Sequence, residues 1–154
     1  MNPRFEPLRM LVALAGSLAV TSAVYAQQTG LPVIALNAGI HVIQAEVANT
    51  ATTRSTGMMF RKSLDANRGM LFVFEVVAPH CMWMRNTFVP LSVAFLDDEG
   101  KILNIADMTP HDETSHCASG SARYALEMNR GWFAGKGVKA GAKLGGLEKA
   151  PGPR

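Results

Sequence analysis

The sequence predicts a mainly β protein, a compact antiparallel β-barrel or β-sandwich carrying one or two short helices. Three observations predict it. Short runs alternate apolar and polar residues with the period of two that turns one face of a strand toward a core. A solidly apolar run rich in β-branched and aromatic residues is bounded by turn-forming residues, and an Asp-Glu-Gly turn joins two further apolar runs in the manner of a hairpin.

In chain order, "HVIQAEV" places Ile43, Ala45 and Val47 on one face and Gln44 and Glu46 on the other. "NTATTRSTGMMFRKSL" offers hydroxyl residues able to cap a helix start, but threonines are poor helix formers and Gly57 interrupts the pattern, so one short helix is expected. "MLFVFEVV" at 70–77 reads as a buried strand. "LSVAFLDDEGKILNIAD" is a hairpin turning at Asp98-Glu99-Gly100, where the glycine can take positive φ. "RYALEM" gives Tyr124, Leu126 and Met128 one face and Arg123, Ala125 and Glu127 the other. "NRGWFAGKGV" has room for one or two helical turns ended by Gly135 or Gly137.

The N-terminal segment carries Arg4 and Arg9, an apolar run from Met10 to Val20, and small residues before Gln27. That order reads as a secretory signal peptide over 1–26, cleaved after Ala26, and the apolar run is short of the ~20 residues a membrane span needs. The expected location is periplasmic or secreted, with no stable membrane span after cleavage. Residues 27–145 then form a single domain, and the Gly- and Pro-rich stretch 146–154 a disordered tail. Cleavage removes two arginines and one glutamate, lowering the formal net charge of +3 by one, and the remaining basic residues are scattered. No nucleic-acid surface is expected. The expected partner is a small polar ligand or an envelope protein, and the expected state a monomer.

The runs "TGMMFRKSL", "RGMLFVF", "WMRNTFVPLSVAFLDDEGKI" and "YALEMNRGW" resemble, in order and spacing, the family known as domain of unknown function 192, over roughly residues 40–145. The resemblance implies a compact β-barrel or β-sandwich with one or two short helices, often behind an export signal, and no established activity. One departure matters: the family often carries an aspartate after Pro-Leu, where this chain has Ser92. Carboxylate chemistry at that position is not expected here.

"HCMWMRNT" (80–87) and "SHCASG" (115–120) concentrate the reactive side chains. An exported chain with two cysteines most often pairs them, so Cys81 and Cys117 are expected as a disulfide, worth roughly 3–4 kcal/mol by loop entropy. The metal reading uses the same residues: His80, Cys81, His116 and Cys117 make a two-sulfur, two-nitrogen set for zinc, or for copper(I) with Met82 or Met84. Adjacent residues on a strand point to opposite faces, which counts against it. A cysteine nucleophile has candidate bases only in composition. The chain lacks a nucleophile elbow, a zinc-protease pair, a phosphate loop and a dinucleotide fingerprint, so no reaction class and no cofactor are indicated.

Polar residues inside apolar runs remain. In the structural reading, Asn86 and Thr87 form the turn out of a strand, and Glu127 makes a hydrogen-bonded or ionic anchor with Arg61, Arg85 or Arg123. In the functional reading, Arg61, Trp83, Asn86, Thr87 and Glu127 line a groove for a small polar ligand or a peptide, since a flat aromatic face sits among hydrogen-bonding groups. A non-catalytic binding or accessory module is expected first, an enzyme working through Arg61, Asn86 and Glu127 second, and a metal-binding protein third.

Overall fold

A computed structural model describes residues 26–154. The signal-peptide expectation therefore lies outside the described residues, apart from Ala26. The elements run β1 (Val33–Ala38), β2 (His41–Ala48), α1 (Ala51–Thr56), β3 (Arg68–Ala78), β4 (Cys81–Met82), β5 (Leu91–Leu96), β6 (Ile102–Met108), β7 (His116–Cys117), β8 (Ala122–Asn129), α2 (Trp132–Gly135) and β9 (Leu144–Gly145), with a final 3-10 turn at Leu147–Lys149. The mainly β class with two short helices is what the structure shows.

Seven strands form one sheet in the order β6-β5-β8-β3-β2-β1-β9. All pairs but one are antiparallel; β2 and β3 run parallel, because the chain leaves the sheet after Ala48, crosses through α1 and re-enters from the opposite end, with Arg68 beside Gln44. The β1–β2 hairpin turns on Gly39, whose φ of 60° supplies the left-handed first turn position. The β5–β6 hairpin turns where the sequence places it: Gly100 has φ 81°, and the Asp97 carboxylate accepts from the Glu99 and Lys101 amides.

The sheet is curled into a half-barrel and sewn at one end. Residues 141–145 hydrogen-bond to both of its edges: Gly141 and Ala142 to Ile102, Leu144 to Gly100, and β9 to the end of β1. Inside the curl lies one apolar cluster, including Ile43, Ala45, Val47, Leu71, Val73, Leu126 and Met128, closed by Trp132 and Phe133 of α2. A second cluster lies on the convex face, where Met70, Phe72, Phe74, Val93 and Phe95 are covered by Met58 and Met84 from the excursions around the sheet. Gly69 marks how closely β3 and β8 approach: a Cβ there would meet the Met128 sulfur and, at 2.5 Å, the Glu127 carbonyl oxygen.

The stretch expected to be a disordered tail is instead docked. Leu147 packs on the inner cluster, Asn49 donates to the Gly152 carbonyl at 2.7 Å, and the Arg154 amide donates to the Asn49 carbonyl at 2.6 Å. A low apolar content does not prevent order where a buried asparagine offers both a donor and a carbonyl to the passing backbone.

A two-stranded sheet of β4 and β7 sits apart from the main one, with Cys81 opposite Cys117 and the two joined by a disulfide. The bridge closes a separation of 36 positions. Replacing both cysteines by serine is expected to lower the free energy of unfolding by roughly 3–4 kcal/mol, measured by urea denaturation of oxidised wild type against the double variant.

Candidate functional site

On the convex face the register sets Glu46 of β2, Met70 of β3, Glu127 of β8 and Val93 of β5 in one row. Glu127 is therefore flanked by apolar side chains on both neighbouring strands, and it is only 3% exposed. Above it the surface is not filled. The C-terminal end of α1 approaches from one side and β4 with residues 83–87 from the other, leaving a cavity of about 280 Å³.

The α1 side is fixed by a capping box between Thr50 and Thr53 and by Arg54, which donates to the carbonyls of Asn49 and Val73 and pairs with Glu75 at 2.7 Å. Gly57 ends the helix at φ 48°, and the chain passes so near the sheet that a Cβ there would lie 3.2 Å from the Phe72 ring. On the other side Met84 to Thr87 form a turn, closed by the Thr87 amide on the Met84 carbonyl at 3.1 Å, with Asn86 left-handed at φ 53°. Two further non-glycine residues, Phe60 and His111, also have positive φ, and all three join one hydrogen-bonded knot: Phe60 donates to Asn86, His111 to Thr87 and Met84 to Asp112.

The cavity walls are apolar and aromatic: Phe72 and Phe74 from the sheet, Met58 and Met59 after α1, and Met82 and Trp83 after the disulfide. Trp83 is 45% exposed, and the Arg85 guanidinium lies 5.6 Å from its ring centroid at the mouth. At the floor no described residue donates a hydrogen bond to the Glu127 carboxyl. Burial pushes that group up from its usual value of 4.5 to about 8, against the attraction of Arg61. Glu127 is thus a protonated acid at neutral pH, a donor facing an apolar space.

Of the five residues expected to line a groove, Trp83, Thr87 and Glu127 reach this cavity, while Arg61 and Asn86 do not line it. Asn86 is exposed on its turn, as the structural reading expected. Arg61 is buried and committed elsewhere: its two Nη atoms each donate at 2.7 Å to the two oxygens of Glu46. The anchor expected between Glu127 and an arginine is not formed. Glu46 takes Arg61, Asp98 and the carbonyls of Phe74 and Glu75 take Arg123, and Trp83 takes Arg85. The enzyme expectation resting on Arg61, Asn86 and Glu127 together loses its convergence for the same reason. Arg54, Met58, Met59, Phe72, Phe74, Met82 and Arg85 were not expected. Alternation along "MLFVFEVV" would have put Met70, Phe72 and Phe74 on one face, but which loops cover that face has no sequence signal.

The two-sulfur, two-nitrogen metal set does not assemble. Both sulfurs are in the disulfide, His80 stacks on Phe74 with centroids 3.7 Å apart, and its Nε2 lies 2.7 Å from the Val76 carbonyl. Among the described residues no group of three or more His, Cys, Asp or Glu could hold a metal ion. Ser92 lies away from the cavity, donating to Asp107 at 2.5 Å and accepting from the Gly131 amide at 2.8 Å. Asp107 is the residue directly across the β5–β6 pair from Ser92.

A model of the DUF192 family, described as "Uncharacterized ACR", matches residues 33–146. Among solved structures, a protein from Sinorhizobium meliloti 1021 described as a candidate transcription regulator is 30% identical, with a TM-score of 0.74, over 78% of this chain and 98% of that one. A protein of unknown function from Novosphingobium aromaticivorans DSM 12444 is 35% identical, with a TM-score of 0.72, over 75% of this chain and 86% of that one. No curated protein matches the sequence.

The raised Glu127 value has a stability consequence. Between pH about 4.5 and about 8 the folded protein holds a proton that the unfolded chain has released, so Glu127 makes stability fall as pH rises across that window. Glu127→Gln keeps shape and donor but cannot ionise. The variant is expected to match wild type near the lower pH and to exceed it by a few kcal/mol above the upper one, at about 1.4 kcal/mol per pKa unit; paired urea titrations at the two ends measure the gap.

Proposed function

The chain belongs to the DUF192 family, and since that family is uncharacterised, we propose a role from the site itself: an exported, non-catalytic module that binds a small ligand in the cavity over Glu127. The observation that carries this reading is Glu127, a buried carboxyl without a protein partner at the floor of an apolar cavity. The carboxyl opens onto the cavity, where a bound acceptor would take its hydrogen bond. At about 280 Å³ the cavity lies near the lower end of the ~300–1,000 Å³ range of ligand sites, which suits a molecule of one ring.

Binding is preferred to catalysis because Glu127 has no partner in chemistry. Ser55 and Thr56, the hydroxyls on the α1 wall, both donate to the Thr52 carbonyl, and Thr87 donates to the Arg85 carbonyl. The sulfur of Cys81 is in a disulfide. A value of about 8 for Glu127 does suit a general acid, and this favours an enzyme as the second reading.

Export is supported by the charged, then apolar, then small-residue order of the first 26 positions and by the exposed cystine, which an oxidising compartment maintains. N-terminal sequencing of protein recovered from a periplasmic extract is expected to begin at Gln27. An intact Met1 in that fraction would remove the cleavage step.

For the cavity, a screen of single-ring molecules by amide chemical-shift perturbation is expected to move residues 55–59, 72–74 and 82–87. Met82→Trp, which fills the space from its half-buried wall, is expected to weaken such binding at least tenfold while the melting temperature holds. Perturbations elsewhere, unaffected by Met82→Trp, would overturn the reading, and turnover of a bound molecule would establish the enzyme instead.

A further inference from the structure

The charges around the cavity do not balance. Six charged or titratable side chains from six segments line it, neighbour Glu127 or pair with one that does: Arg54 on α1, Arg61 in the loop that follows, Glu46 on β2, Glu75 on β3, Arg85 in the turn after β4, and Glu127 itself on β8. Arg54 pairs with Glu75 and Arg61 with Glu46. Arg85 has no carboxylate partner among the described residues; it is exposed and rests on Trp83. One cation at the mouth is therefore left over, held in place by an aromatic ring, while the walls below it are apolar and Glu127 lies unpaired at the floor.

Building on the binding role proposed above, we propose that the cavity selects a small monoanion with a flat apolar body. Its anionic group, a carboxylate being the simplest, is held by Arg85 at the mouth. Its body lies among Trp83, Phe72 and Phe74, and an oxygen at its far end accepts from the Glu127 carboxyl.

The orientation follows from the two ends. An arginine guanidinium offers a planar pair of donors that fits a carboxylate, and at the mouth that pair keeps part of its water. An anion at the floor would instead sit desolvated between Met70 and Val93, where burial already forces Glu127 to keep its proton. A cationic ligand would gain from an ionised Glu127 and from the aromatic walls, but it would have to pass Arg85, the one unbalanced charge at the entrance.

Three probes of one shape separate these cases: 4-hydroxybenzoate, its neutral methyl ester, and 4-hydroxybenzylamine. Titrated by chemical-shift perturbation at pH 7 with the oxidised, processed protein, the anion is expected to bind about tenfold or more tightly than the ester, and the amine more weakly than either. Arg85→Gln is expected to bring the anion down to the affinity of the ester without changing the ester. Glu127→Gln is expected to retain the anion at pH 7, whereas Glu127→Met weakens it about tenfold or more. In wild type, anion binding is expected to fall as pH rises through about 8, and in Glu127→Gln to stay level.

Equal affinity for the three probes, preference for the amine, or no binding of any at millimolar concentration overturns the proposed ligand class. The cavity reading survives each of these if another molecule still binds in a manner lost in Met82→Trp. Probes that perturb only residues away from the cavity overturn both.

Discussion

Strand β5 is buried at all six of its positions, and β8 beside it and β3 one strand further are buried through most of theirs. A sheet whose central strands are apolar on both faces must be covered twice, and among the described residues there are no long helices to do it. The inner face is covered by the sheet itself, which curls until residues 141–145 tie its two edges together at one end. The convex face has no such recourse. It is covered by irregular chain: the excursion through α1 to Phe60, and the excursion that contains β4 and the Met84–Thr87 turn. Two irregular covers meeting over a regular sheet leave a seam, and the cavity lies in that seam.

Glu127 is the point at which the need for burial and the chemistry of the side chain conflict. The strand alternation that buries Ala125 beside Phe72 also buries Glu127 beside Met70. An arginine is near enough to oppose the shift but does not pair with it, because Glu46, one strand beyond Met70 in the same row, holds both Nη atoms of Arg61. The two acids thus have different states on one face: Glu46 shares a bidentate ion pair, and Glu127 keeps its proton. Methionine or leucine at 127 would satisfy packing better than an unpaired acid, so stability alone gives no account of the glutamate.

What was legible in the sequence was whatever depends on neighbouring residues. The buried face of β2, the hairpin at Gly100, the two short helices and the split faces of β8 each follow from local alternation or from one glycine. The disulfide followed from cysteine parity together with the export expected from residues 1–26. What was not legible depends on which distant segments meet. The parallel pairing of β2 with β3 brings Glu46 into the row of Glu127 and gives Arg61 its partner; from the sequence, Glu127 was the more obvious choice. The C-terminal tail reads as disordered in composition, and only the position of Asn49 beneath it explains its order. Within the site, Trp83, Thr87 and Glu127 could be picked out by chemistry, but Met58 and Arg54 are wall residues only because the α1 excursion folds back across the sheet.

The mouth of the cavity shows how irregular chain can be made rigid. A left-handed backbone is unfavourable for a residue with a side chain, and Phe60, Asn86 and His111 all adopt it within one knot. Each is locked by a main-chain hydrogen bond to a different segment, and the Phe88 ring packs against both Phe60 and His111. Trp83 lies between this knot and β4, which the disulfide clamps to β7. An indole tethered on both sides loses little further freedom when a ring stacks on it, and Arg85, resting on that indole, is presented with its donors already placed. Ordering costs of this kind usually oppose the binding of small molecules, and the proposed ligand would find them already met by the fold.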